Sequence, residues 1–234
     1  ILLIRKLQRI QIRDKLILQN QISELQLKTI NNQLNPHFTL NAFNSIASLL
    51  KKEKGDIAYN FFIKFSNLVK SNLLSADQIS RTINEELEMV KDYLDIQMLR
   101  LGNSFTYNIE IDANVNTDWK IPKMTIQNYI ENALKHGLKD KKNDGLIRIG
   151  IKRKNSHISI QITDNGIGRE KASQLRSDST GMGMMVMNQY FALLNKYNSV
   201  KIKQEIVDLY DENGEPAGTM VLLEIPINTK YNVS

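Results

Sequence analysis

From Leu3 to about Leu34, apolar residues return every three or four positions and no glycine or proline interrupts them. That is the period of an amphipathic helix. Leu3, Leu7, Ile10, Asp14 and Ile17 step by four and three, and Leu18, Ile22, Leu25 and Thr29 repeat the step shifted by one residue. Two such seams suit a parallel coiled coil with a phase slip near 17/18. Asp14 and Thr29 in the seam make the coil weak, and a single long surface helix fits the same pattern. Pro36 ends or kinks this helix. A second helical stretch puts Phe38, Asn41, Ser45 and Leu49 near one line and stops at the polar run KKEKGD. Next, AYNFFIKFSNLVKSNLL sets Phe61, Phe65 and Leu68 on one face, with Phe62, Val69 and Leu73 beside it. Two apolar-faced helices joined by a short loop form a hairpin that cannot bury both faces alone. Pairing into a dimeric four-helix bundle buries them.

Thr82-Ile-Asn-Glu85 is a capping box, and it opens a helix predicted to run to about Leu101 with Leu87, Val90, Leu94, Met98 and Leu101 inward. After Gly102 the texture changes. FTYNIEI alternates as a strand, QNYIENALKHGL reads as a helix, and LIRIGIKRK and HISIQITD alternate again. A helix at about 182–196 and two strands, KIKQEIVDLYD and TMVLLEIPI, complete the order. The fold class is therefore α followed by α/β, the second part a sandwich with helices on one face of a mixed sheet. The expected domains are a signalling helix at 1–29, a helical hairpin at 30–80 and an α/β domain at 81–234.

Composition narrows this little. With 234 residues, 41% hydrophobic and 24% charged, the chain is an ordinary globular protein. A net charge of +6 is too diffuse to choose among nucleic acid, phosphates and membranes as partners. The absence of cysteine excludes disulfides, zinc–thiolate sites and thiol catalysis. The opening ILLIRKLQRIQIRDK, which lacks a starting methionine, is expected of a fragment of something longer. It reads either as the last turn of a membrane span followed by cytoplasmic basic residues or as the start of a basic amphipathic helix.

Three stretches carry candidate chemistry. Glu131, Asn132, Lys135 and His136 cluster on one helical face, a set suited to a divalent metal and the phosphates it bridges, although charged helix faces are usually only solvated. Asp164-Asn-Gly166-Ile-Gly168 follows a strand. An aspartate there accepts from an exocyclic amine while the glycines admit a flat ring, and the same residues also make an ordinary tight turn. Ser179-Thr180-Gly181-Met182-Gly183-Met184 opens a helix whose N-terminus faces a phosphate. REKASQLRSDS between the last two is polar and reads as a lid.

In that order, ENALKHG, DNGIG and TGMGM resemble the N, G1 and G2 boxes of the GHKL, or Bergerat, ATPase fold, and Gly218-Thr219 resembles the Gly-Thr that closes its adenine pocket. LNPHFTLNAFNSI resembles the phosphoacceptor box of LytS/YehU-type sensor histidine kinases, and EELEMVKDYLDIQMLR and IPKMTIQNYIENALKHG match further blocks of that family. The likeness covers roughly residues 30 to 230. It implies a histidine autokinase in which His37 attacks ATP and Asn41, one turn on, orients the imidazole or a hydrolytic water. Asp164 reads the adenine amine, Asn132 ligates Mg²⁺, and Glu131 assists metal or water positioning. Lys135 and His136 lie near the phosphates, while Gly166, Gly168, Thr180, Gly181, Gly183 and Thr219 shape the pocket and lid.

The implied partners are a second copy of the chain, a response-regulator receiver domain, typically with a LytTR DNA-binding domain, and a membrane reached through the missing N-terminal region. DNA contact belongs to the regulator, and the chain is the cytoplasmic portion of a bacterial membrane protein. Three departures stand out. Phe38, not an acid, follows the histidine, so no general base is named. Thr39 replaces a large apolar residue, and Val186 and Tyr190 replace the family's asparagine and arginine beyond the G2 box. An ATP-binding scaffold without phosphotransfer, or another GHKL ATPase, remain the alternative readings. His157 and Trp119 are expected at the surface and in packing respectively, and the methionines at 182, 184, 185 and 187 form a core and lid hinge.

Overall fold

The computed structural model describes residues 36–74, 78–138, 141, 144–174 and 182–231, with scattered positions between 5 and 24. Those scattered positions are helical, and Ile10, Ile12, Leu16 and Ile17 among them are exposed. The other seam positions of the expected coiled coil lie outside the described residues. Among the described residues, no helix is long and apolar enough to cross a membrane.

Pro36 is the first residue of α1 (Pro36–Lys51), a position where its missing N–H costs nothing. Glu53, with φ of 57°, turns the chain into α2 (Gly55–Leu74). Phe61 and Phe65 of α2 and Ala42 of α1 pack on Ile96 of the next helix, with Ile46, Leu49 and Val69 around them. Leu68 reaches the main core. Phe62, expected near the inner face, is exposed, as are Leu40, Phe43, Leu50, Ile57, Tyr59 and Ile63.

Strand β1 (Ser80–Thr82) pairs antiparallel with β3 (Lys120–Pro122) and leads into α3 (Ile83–Arg100). Both capping-box bonds are present: Glu85 N–H donates to Thr82 Oγ1 at 3.1 Å, and Thr82 N–H donates to Glu85 Oε2 at 2.8 Å. Leu87, Val90 and Leu94 are buried as predicted, but Leu101 is exposed because the helix has already ended at Arg100.

The main sheet runs β2 (Phe105–Ile111), β4 (Gly145–Lys154), β5 (His157–Asp164), β7 (Pro216–Pro226) and β6 (Lys203–Tyr210) from edge to edge. Only β2 and β4 are parallel. Ile147, Ile149 and Ile151, Ile158, Ile160 and Ile162, and Val221, Leu223 and Ile225 alternate onto one face, as the period of a strand requires. Over that face lie α3, α4 (Thr125–Asn132) and α6 (Met182–Tyr197), contributing Leu87, Leu94, Ile126, Ile130, Phe191 and Leu194.

This is the expected α/β sandwich. Val186 and Tyr190 are buried core residues of α6. At both positions the side chain packs inward, which suits an apolar or aromatic residue there. Met187 is buried and Met185 exposed, so the methionine cluster is only partly core. His157 opens β5 half-exposed, and Trp119 packs partly on the core beneath the Arg153 guanidinium.

Candidate nucleotide site and phosphoacceptor helix

Helix α4 is held at its start by a residue from α3. Glu86 is fully buried, forms an ion pair with buried Arg81, and accepts from the backbone N–H groups of Met124, Ile126 and Gln127 at 3.2, 3.0 and 3.4 Å. Met124 sits in the left-handed region at φ 63°, a conformation costly for a side chain this large. Its turn aims three otherwise orphaned N–H groups at one carboxylate, which the positive end of the helix also favours.

At the other end, α4 widens into a π-turn over Ala133–Gly137, with Leu138 N–H donating to Ala133 O at 2.8 Å. Such turns shift the phase of the side chains that follow and recur at functional sites. Here Glu131 is buried, and the half-exposed Lys135 reaches its Oε2 at 3.3 Å. His136 and Asn132 are half-buried, and the Asn132 amide nitrogen has no hydrogen-bond partner among the described residues. The extra residue in the turn delivers Gly137 onto the end of β5.

Asp164 closes β5 and is buried. Its Oδ1 accepts from Gly166 N–H at 2.9 Å, and Thr219 N–H, across the β5–β7 ladder, also donates to it. Burial pushes the carboxyl up to about 6, against the two N–H groups, which pull it down. Glycines crowd it from several sides. A Cβ on Gly137 falls 2.7 Å from Asp164 Oδ1, one on Gly166 falls 2.3 Å from Gly137 O, and one on Gly218 (φ 136°) falls 2.0 Å from Asp164 O. Asn165 stakes the turn from outside, accepting from Leu146 N–H and donating to Asp144 O, each at 2.7 Å.

The segment beyond Gly168 is not wholly irregular. It starts as a short helix, α5 (Gly168–Gln174), anchored by a two-pronged Arg169–Asp208 bridge at 2.7 and 2.6 Å and by Lys171–Glu215 at 2.7 Å. Gly183 lies in the first turn of α6, whereas Thr180 and Gly181 lie outside the described residues.

The structure thus gathers Glu131, Asn132, Lys135, His136, Asp164, Gly166, Gly168 and Thr219 at one end of the sheet. His37 and Asn41 are elsewhere, in the first two turns of α1. Between them and the nucleotide end stands α3, whose Ile96 faces the hairpin and whose Leu94 faces the sheet. A polar cleft of about 430 Å³ opens between α1 and the end of α3, lined by Asn41, Asn44, Ser45, Lys52, Leu99 and Arg100 among others. Sequence reasoning passed over Glu86, Tyr93, Gln97 and Arg100. The one signal was polar residues at helical spacing among inward-facing apolar ones.

The buried carboxylate amid glycines fits the edge and face of a purine. One amide oxygen from Asn132 fits Mg²⁺, which keeps most of its ligands as water and phosphate. Among the described residues there is no cluster of three or more acidic or histidine side chains able to hold a metal by itself.

Comparison with known proteins agrees. Residues 25–105 match the family described as "Histidine kinase", and residues 117–229 match "Histidine kinase-, DNA gyrase B-, and HSP90-like ATPase". The sensor protein LytS of Enterococcus faecalis is 29% identical over 212 residues, 88% of this chain and 35% of that protein. The sensor histidine kinase YpdA of Escherichia coli is 29% identical over 185 residues, 79% of this chain and 32% of that protein. A solved histidine kinase domain, from the blue-light activated kinase EL346 of Erythrobacter litoralis, covers 92% of this chain and 98% of its own at 14% identity and a TM-score of 0.46. The chain spans about a third of the length of these curated relatives. With a histidine kinase segment followed by its ATPase segment, and LytS-type sensors as relatives, the chain belongs to the LytS-type histidine kinases.

Proposed function

We propose that this chain autophosphorylates His37 from Mg-ATP and passes the phosphoryl group to an aspartate on the receiver domain of a response regulator of LytTR type. The observation that carries this reading is the buried Asp164 in its glycine cradle beside the N-box turn, in one chain with a histidine on a separate helical hairpin. Asp164 takes the adenine amine, with Gly166, Gly168 and Thr219 around the ring. Lys135 and His136 serve the phosphates, as does Gly183 in the first turn of α6, and Thr180 and Gly181 of the same motif take part with them. Asn132 supplies the protein oxygen to Mg²⁺, which when bound neutralises charge on the transferring group. Glu131 sets the position of the metal or its water.

In the transfer, an imidazole nitrogen of His37 forms the N–P bond as the bond to ADP breaks, and the displaced proton leaves the ring. Neutral imidazole is abundant at physiological pH, so positioning supplies most of the rate. Asn41 orients the ring. The working divisions are the signalling helix at 1–29, the phosphotransfer hairpin at 30–80 and the ATP-binding domain at 81–234. The chain acts as a homodimer on the cytoplasmic side of a membrane, to which a preceding segment ties it. Neither the ATP site nor the hairpin reads DNA.

Incubation with γ-labelled ATP and Mg²⁺ tests the reading. An acid-labile, alkali-stable label is expected that His37→Gln abolishes while ATP binding survives, and that Asn132→Ala abolishes by removing the metal ligand. A label that persists in His37→Gln refutes the choice of nucleophile.

A further inference from the structure

The glycine turn that follows β5 is tied down at both ends. Near its start Asp164 Oδ1 accepts from Gly166 N–H at 2.9 Å, and Ile167 N–H donates to Gly137 O at 3.0 Å. At its finish Gly168, with φ of 74°, lies so close to the start of β7 that a Cβ there falls 2.8 Å from Pro216 Cβ. The next residue is Arg169, whose guanidinium reaches β6. Its Nε donates to Asp208 Oδ1 at 2.7 Å, and its Nη2 donates to Oδ2 at 2.6 Å.

The sheet register makes this bridge the last link of a closed ring. Asp208 pairs with Thr219 across β6 and β7, and Thr219 pairs with Asp164 across β7 and β5. From Asp164 the chain runs through Gly166 and Gly168 to Arg169, crosses to Asp208, and returns along two rungs of the sheet. The ring contains the carboxylate, the glycines and Thr219, all at the purine end of the site. One helical turn of α5 adds a second tie, Lys171–Glu215 at 2.7 Å, to the residue before Pro216.

An exposed ion pair ordinarily contributes little to stability, because two long side chains must be ordered to make it. Arg169–Asp208 is two-pronged, the arrangement in which a planar guanidinium loses least freedom per bond. These bonds hold the Asp208 carboxyl below its ordinary range. Asp208 sits on an edge strand and Arg169 is half in solvent, so the pair serves the turn it closes and not the core.

We propose that Arg169 and Asp208 are positioning residues for the purine, a clamp that holds the turn at 166–168 in shape before a nucleotide arrives. Their functional role rests on the nucleotide site proposed above, and the clamp itself does not. A turn already in place loses less freedom on binding, so the clamp raises affinity by pre-organisation. It acts at the adenine end, which ATP and ADP share, and leaves the phosphate end and His37 alone.

The test uses the whole chain with Arg169→Met, Asp208→Ala and both together. ATP and ADP affinities are measured by calorimetry, and the autophosphorylation rate at saturating ATP. Each single variant is expected to weaken ATP and ADP alike, about tenfold, with the saturated rate changed less than twofold and the double variant no weaker than either single. Arg169→Lys, which keeps the charge and loses the fork, should retain only part of the affinity. Unchanged affinity, or losses that multiply in the double variant, overturn the clamp. A loss in Arg169→Met that is confined to ATP and absent from Asp208→Ala also overturns it, because that assigns Arg169 to the phosphates directly.

A second measurement uses no nucleotide. Amide hydrogen exchange at Gly166 and Ile167 in the ligand-free protein, read by NMR, should quicken about tenfold in both single variants while exchange within β5 keeps its wild-type rate. Unchanged exchange at the turn overturns the clamp. Faster exchange throughout β5 overturns it as well, since the bridge then supports the sheet and not the turn. A wild type that binds neither ATP nor ADP refutes the nucleotide reading, and the exchange rates still decide whether the clamp holds the turn.

Discussion

Asp164 holds a charge where the fold resists one. Its carboxyl is raised to about 6 by burial, so ionisation costs the folded state nothing well below the ordinary carboxylate range and its full amount above about pH 6. In the proposed binding mode the adenine amine donates to Asp164, and the ionised carboxylate is its stronger acceptor. Two opposite consequences follow from one residue. Asp164→Asn is expected to abolish ATP binding by calorimetry, yet to raise the denaturation midpoint of the ligand-free protein at pH 8 and not at pH 4. The gain is of order 1 to 3 kcal/mol at most, since a two-unit shift corresponds to about 3 kcal/mol and the Gly166 and Thr219 donors lose part of their acceptor. Wild-type ATP affinity should fall as pH drops below 6. Asp164 was legible in the sequence because an aspartate after an alternating strand, followed by Gly-x-Gly, is a local pattern. The place of Gly137 against its Oδ1 was not, because that contact depends on a π-turn and a strand end meeting from positions far apart in sequence.

At the scale of elements, α3 does more than cover the sheet. Through Glu86 it fixes where α4 begins, and through the cradle that α4 feeds it fixes the nucleotide end. Glu86→Ala strands the buried Arg81 charge and three helix N–H groups together, a loss of about 3 to 5 kcal/mol by the usual cost of breaking a buried pair. Glu86→Gln, which still accepts hydrogen bonds, should lose less, and chemical denaturation of the two variants separates charge from capping. Equal losses in both assign the whole effect to the ion pair. The capping box at Thr82 and Glu85 announced this helix in sequence, since both partners lie within one turn. Glu86 beside them read as another surface carboxylate, because its partners come from residues 81 and 124–127. The π-turn escaped for a related reason. ENALKHG fits a 3.6-residue period as well as a 4.4-residue one over so short a span, and only packing against Asp164 selects the wider turn.

At the scale of the whole molecule, a single copy leaves large apolar side chains of the hairpin in water. The hairpin buries Ala42, Phe61 and Phe65 against Ile96, and that uses one side of it. Tyr59, Phe62 and Ile63, a stripe on α2 at three- and four-residue spacing, face solvent together with Leu40 and Phe43 of α1. The sequence foretold two apolar faces but not which would go outward, because Phe61 and Phe62 differ only in which side α3 approaches. Burying large side chains of this kind contributes roughly 1.5 to 3 kcal/mol each, enough for several together to exceed the cost of association. Replacing Phe62 and Ile63 by lysine therefore targets the proposed dimer and spares the fold. The paired variant is expected to sediment as a monomer at concentrations where the wild type is a dimer. Its ATP affinity should be unchanged, because Asp164 and its cradle lie on the other side of α3. A variant that stays dimeric assigns the contact to another surface. A variant that loses ATP binding as well shows that the hairpin and the sheet are one cooperative unit, held through Ile96 and through the bridge from Lys64 to Asp95 that also takes the Tyr107 hydroxyl at 2.7 Å.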